Sequence, residues 1–202
     1  IRHELEVALV HPESTDVGRL AADLLAEDLR MQRLVEDLLL LARSDEGDDS
    51  WTRHPVDLDD LALAEARGLR IEGRVQVDTS GVRAARVMAD RHQIGRVVRN
   101  LVENAGRHAR SLVRVTVRVD GLEAVLVVDD DGPGVPEADR VRVFERFTRL
   151  DDARTRSRGG AGLGLAIAAG VVARHEGTIR CLASDVGGAR FEVRLPLAGD
   201  RA

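Results

Sequence analysis

A chain carrying the stretch DRHQIGRVVRNLVENAGRH at residues 90–108 must lay one helix between two different environments. Ile94, Val97, Val98, Leu101, Val102 and Ala105 recur at spacings of three and four, so they form an apolar stripe that needs a second layer of structure beneath it. Asn100, Asn104 and His108 stand four apart, one helical turn above the next, and line polar groups along the same helix. Asparagine forms helices poorly. Two in register beside an apolar stripe therefore mean either solvated surface amides or a ligand or metal, and the remaining sequence has to discriminate.

The 202 residues accommodate one ordinary domain and something smaller, and 44% hydrophobic with 32% charged residues predicts a packed soluble core. A net charge of −5 lacks the basic stripe that neutralises phosphates, which argues against a general nucleic-acid binder. Every Lys/Arg position is Arg and there is no Tyr, a chain-wide bias that lowers the weight of any single Arg. The lone Cys181 cannot form an internal disulfide and fits a reducing compartment. No window approaches the roughly 20 apolar residues of a membrane span. Ile1 stands where an initiator Met would, so a piece of a longer protein is expected.

Residues 2–10 read as helix and are broken by His11-Pro12. Ser14 or Thr15 can cap a long second helix over residues 16–43, where Leu24, Met31 and Leu38 repeat every seven residues. Such a stripe needs a helical partner of matching length, as in a dimeric four-helix bundle. The polar, acidic run at 44–55, with Trp51 inside it, reads as a linker, giving units at 1–48 and 56–198 joined through 49–55. From Val56 the pattern turns mixed. A helix capped by Asp57 is expected up to about Gly68, with strands at 74–77, 85–88, 113–119 and 124–129, a helix at 164–175, and a hairpin pairing 178–183 with 189–195 across Gly187-Gly188. Antiparallel strands on one layer and helices on the other make an α+β two-layer sandwich.

Chemistry concentrates in two further segments. Asp129-Asp130-Asp131-Gly132-Pro133-Gly134 ends an apolar strand; its glycines allow close backbone approach, and a carboxylate beside them can accept a hydrogen bond from an exocyclic amine, although an acidic turn would look the same. Gly159-Gly160-Ala161-Gly162-Leu163-Gly164 leads from a loop into a helix, where backbone N–H groups can cradle phosphates. It is neither a Walker A sequence nor a strand-following GxGxxG.

In order and spacing, the Asn helix, Asp-x-Gly-x-Gly, Phe144-Glu145-Arg146-Phe147 and Gly-x-Gly-x-Gly-Leu-Ala-Ile closely resemble the N, G1, F and G2 boxes of bacterial sensor histidine kinases. Residues 56–198 resemble the ATP-binding domain shared with gyrase, Hsp90 and MutL, and residues 1–48 resemble most of the dimerisation and histidine-phosphotransfer hairpin. The resemblance implies that Asn104 ligates a Mg²⁺ bridging the triphosphate, that Asn100 and Arg107 face the phosphates, and that His108 flanks the nucleotide. It further implies that Asp130 recognises the adenine amine, that Gly132 and Gly134 open the pocket wall, and that Gly160, Gly162, Leu163 and Gly164 form the phosphate loop. Residues 149–158 resemble a mobile lid anchored by Phe144 and Phe147, and Glu103 matches the position that activates water in related ATPases.

His3-Glu4-Leu5 departs from the family's phosphoacceptor box, because Glu6, Val7 and Ala8 replace its basic, hydroxyl and proline positions. The acceptor histidine is expected upstream of Ile1. The resemblance therefore implies the Mg²⁺–ATP portion of a homodimeric kinase, the parent anchored in the cell membrane with this portion cytoplasmic, which relays a phosphoryl group to an aspartate of a response-regulator receiver domain. A non-catalytic nucleotide-binding module would be favoured had Asn104, Asp130 or Gly162/Gly164 been lost. A stand-alone ATPase of the gyrase or Hsp90 type is disfavoured by the Leu-striped hairpin.

Overall fold

The computed structural model describes residues 16–22, 24, 25, 28, 31, 52–148 and 162–199. Expectations for residues 1–15, Trp51, the 149–158 lid and Gly160 lie outside them. The chain divides into two compact units, Ile1–Gly47 and Asp48–Ala202. In the first, the described residues from Val17 onward are helical, and the Asp16 carboxylate accepts the Arg19 N–H at 3.0 Å, the bond an N-cap makes.

The second unit is a two-layer α/β sandwich. Its elements run β1 (His54–Asp57), α1 (Leu58–Glu72), β2 (Gln76–Val82), β3 (Arg86–Ala89), α2 (Arg91–His108), β4 (Leu112–Asp120), β5 (Glu123–Asp130), α3 (Gly164–Arg174), β6 (Thr178–Ala183) and β7 (Ala189–Pro196). One sheet is five-stranded in the order β2-β4-β5-β7-β6, and β1 pairs with β3 in a separate two-stranded sheet. All neighbours in the large sheet are antiparallel except β2 and β4, which are parallel, so the sheet is mixed rather than wholly antiparallel.

Several boundaries differ from the sequence reading for local reasons. The first strand begins at His54, inside the expected linker; Pro55 is tolerated because β1 lies at an edge. Helix α1 runs past Gly68 to Glu72. No atom stands within 4 Å of a Cβ built on Gly68, whereas Gly73 adopts φ +70 and is the true terminator. Asp57 sits at the N-cap position but makes no capping bond, because its carboxylate binds Arg86 at 2.6 and 3.1 Å.

Helix α2 follows its sequence pattern closely. Ile94, Val97, Val98, Leu101, Val102 and Ala105 are all buried, each Val, Leu or Ile contributing about 1.5–3 kcal/mol by leaving water. Asp90 caps the helix, its Oδ1 accepting the N–H groups of His92 and Gln93 at 2.8 and 3.0 Å. The helix packs against α1 and α3 and rests on β4 and β5. On the opposite face of the sheet Val125 and Val127 are also buried, covered by cross-strand arginines instead of helices. There Arg190 meets Asp129 and Asp185, Arg114 meets Asp78 and Asp185, and Arg194 meets Asp120, Glu123 and Glu192.

Candidate functional site

The C-terminal end of β5 carries three consecutive carboxylates, and their surroundings give each a different task. Asp129 points to the arginine-covered face, where Ser184 Oγ and Arg190 Nε both donate to its Oδ1 at 2.7 Å and Arg190 Nη2 donates to Oδ2 at 3.1 Å. Asp131 ties the strand to the turn after α2 by accepting the N–H groups of Arg110 and Ser111 and the Ser111 hydroxyl. Burial pushes the Asp131 carboxyl upward, but the Ser111 hydroxyl and these N–H groups outweigh it and hold the group well below the usual carboxylate range.

Asp130 is the remaining one. It is 1% exposed, and only its Oδ1 is engaged among the described residues, by Gly132 N at 2.8 Å and Ala189 N at 3.3 Å. Burial raises its pKa, against the two N–H donors and the nearby His108. A buried carboxylate with one oxygen fixed and the other open is a recognition element for an N–H donor.

The glycines around it are required by contact. A Cβ on Gly132 would strike the His108 carbonyl, and one on Gly134, which has φ +74, would stand 3.3 Å from the Gly188 carbonyl. The C-terminus of α2, the turn after β5 and the start of β7 thus meet backbone to backbone.

The other end of the site lies along α2. Asn100 Nδ2 donates to the Gly164 carbonyl at 2.9 Å and so holds the first residue of α3. Leu163 is buried at the N-cap position of α3 but offers no side-chain cap, leaving first-turn N–H groups for an anion. Gly162 has φ +72, and its carbonyl accepts the Phe147 N–H at 2.9 Å; Phe147 itself has φ +64. The described chain ends on either side of residues 149–161 meet there. Phe144 packs edge-on against Phe191 with centroids 6.2 Å apart, while the Phe147 ring is 66% exposed. Phe147 therefore acts in this junction through its backbone.

The side-chain amide of Asn104, half-buried between these ends, makes no hydrogen bond among the described residues. Glu103 and Arg107 are exposed on the neighbouring strip of α2. From Asn100 to His108 the helix rises about 12 Å, a span suited to a base, sugar and phosphate chain. The oxygen donors suit a hard cation accompanied by waters, and among the described residues no group of three or more His, Cys, Asp or Glu forms an alternative metal centre. The donors present fit Mg²⁺ with a nucleotide.

Missing from the sequence reading was the role of Gly188-Ala189. The Gly-Gly pair signals a turn, and both residues serve it, Gly187 with φ +109 and Gly188 by accepting the Ser184 N–H at 3.0 Å; Gly188 is in addition buried against Asp130.

A two-layer sandwich whose helix layer and strand ends enclose such a site defines a nucleotide-binding ATPase class. Residues 89–199 match the model of the histidine kinase-, DNA gyrase B- and HSP90-like ATPases, and the chain belongs to this family. It is 34% identical over 98% of its length to the sensor protein RstB of Escherichia coli and 42% identical over 86% to the probable sensor histidine kinase TcrY of Mycobacterium tuberculosis. It spans 47% and 37% of those two relatives, less than half of each. The solved ATP binding domain of PrrB from Mycobacterium tuberculosis is 30% identical with a TM-score of 0.61, over 74% of this chain and all of that one. The chain is the ATP-binding core of a two-component sensor kinase type. No described helix is long and apolar enough to cross a membrane.

Proposed function

We propose that residues 52–199 bind Mg²⁺–ATP between α2, the turn after β5 and the N-terminus of α3, and present the γ-phosphoryl group to a histidine. The observation that carries this reading is Asp130, a buried carboxylate whose Oδ1 is taken by two backbone N–H groups and whose Oδ2 is open to an adenine amine. Asn104, whose amide is unengaged among the described residues, ligates the metal. Asn100 holds the α3 loop through Nδ2. The uncapped N–H groups of Leu163, Gly164 and their neighbours, together with Gly160 and Gly162, take the phosphates. Arg107 adds positive charge, His108 flanks the nucleotide beside Gly132 and Gly134, and Glu103 orders the metal's water shell. Bound Mg²⁺ supplies charge neutralisation to the triphosphate.

The phosphoryl acceptor is a histidine of the helical hairpin in the longer protein, which dimerises through that hairpin. Transfer continues to an aspartate of a response-regulator receiver domain. The parent sits in the cell membrane with this portion in the cytoplasm.

Calorimetric titration of the chain with ATP and Mg²⁺ tests the site. Asp130→Ala and Asn104→Ala should each weaken binding by at least about tenfold, the equivalent of about 1.4 kcal/mol. Chelating Mg²⁺ should weaken wild type strongly and Asn104→Ala little. Wild-type affinity in both variants would remove the assignment.

A further inference from the structure

Gly188, in the turn between β6 and β7, has no role in the proposed nucleotide chemistry, yet it touches the residue on which base recognition depends. A Cβ placed on it would overlap Asp130 Oδ1, the Asp130 carbonyl and the Gly132 nitrogen. Two of these three groups are the acceptor and donor of the 2.8 Å bond from Gly132 N to Asp130 Oδ1. The next residue, Ala189, donates the other N–H to the same oxygen. Backbone alone therefore surrounds Oδ1 on the β7 side, and only a residue without a side chain fits. The carboxylate cannot rotate to exchange its oxygens without giving up both donors.

We infer that Gly188 and the Ala189 N–H form a specificity-determining clamp that orients Asp130 so that Oδ2 discriminates bases by the group at purine position 6. The inference rests on the proposed adenine site. An amine there donates to Oδ2, as in adenine; a carbonyl there, as in hypoxanthine, sets acceptor against acceptor and leaves a buried polar group unpaired. Gly188 is a positioning residue, since it acts through Asp130.

Titrating the chain with ADP, with inosine diphosphate and with Mg²⁺–tripolyphosphate separates base recognition from phosphate binding. Wild type should prefer ADP to inosine diphosphate by about tenfold or more. Gly188→Ala should abolish that preference while binding tripolyphosphate within about twofold of wild type, a change under about 0.5 kcal/mol. Gly187→Ala, at the same hairpin where φ is +109 but no atom stands within 4 Å of a Cβ, should keep the preference. Equal loss in Gly187→Ala, or an undiminished preference in Gly188→Ala, would overturn the clamp and leave the adenine site standing. A wild type without base preference would instead overturn the adenine reading beneath it. Should Gly188→Ala not fold, amide resonances of wild type decide: those of Gly132 and Ala189 should shift with ADP and not with tripolyphosphate, and their failure to move with ADP refutes the clamp.

Discussion

Lowering the pH from about 7.5 to about 5, with and without His175→Gln, tests how the C-terminal end of α3 is held, because histidine is the side chain whose ordinary pKa falls within this range. His175 is 3% exposed. Its Nε2 accepts the Asp90 N–H at 3.2 Å and its Nδ1 faces the Val171 carbonyl at 2.8 Å, so the neutral tautomer with the proton on Nδ1 satisfies both partners. Burial lowers the pKa, helped by Arg53 and Arg174 and opposed by the Val171 carbonyl and Asp90. Protonating Nε2 sets one N–H against another and strips Asp90 N–H of its acceptor, a loss of about 1–3 kcal/mol. The unfolded chain takes up a proton near pH 6.5 while the folded chain resists it, so this stability is complete above about pH 6.5 and declines as the pH falls. One such proton gives a slope of at most about 1.4 kcal/mol per pH unit. Urea unfolding followed by far-ultraviolet circular dichroism at intervals of pH measures it. Gln can accept the Asp90 N–H without titrating, and the other histidines are common to both proteins. Wild type should therefore lose about 1–2 kcal/mol more than His175→Gln between the extremes, the upper end being set by that slope acting from about pH 6.5 to about pH 5. Parallel pH profiles for the two would refute the reasoning.

Two further outcomes follow from the geometry. Arg190→Ala leaves the 1%-exposed Asp129 with only Ser184, and because Arg190 is itself 29% exposed the cost should be about 2–3 kcal/mol in denaturant unfolding, below that of a fully enclosed pair. Gly162→Ala forces a Cβ to 3.0 Å from the Phe147 backbone at φ +72, whereas a Cβ on Gly164 stands at an ordinary 3.4 Å from the Asn100 amide. The first substitution should cost about 1–2 kcal/mol and depress Mg²⁺–ATP affinity in calorimetry, and Gly164→Ala should leave stability nearly unchanged.

The parts of the fold legible in the sequence are those set by local periodicity. Helix α2 has its expected span, and each of its six stripe residues is buried. The parallel β2–β4 pairing was not legible. β2 reads QVDTSGV, a half-exposed edge strand with no clean alternation, and its partner is chosen by contacts distant in the chain. Gly68 and Gly73 look alike in sequence, and only the backbone angle of the second separates a tolerated helical glycine from a terminator. The same holds for Gly187 and Gly188. Among the acidic triplet, resemblance pointed to Asp130. The reason it differs from Asp129 and Asp131 is that Arg190, Ser184, Arg110 and Ser111 occupy the other two. Arginines given little individual weight in the sequence proved to be the cover of one sheet face, bridging carboxylates in pairs as a planar guanidinium can.

Helix α2 fastens the site at two points, Asn100 to the Gly164 carbonyl and the His108 carbonyl against Gly132. The separation of the proposed phosphate end from the proposed base end is thereby set by the rise of one continuous helix and not by any loop. Loops can lengthen and the sheet can repack without changing that measure, whereas one residue inserted between Asn100 and His108 would turn one end about 100° away from the other. In this protein the pocket tolerates change around its ruler and very little within it.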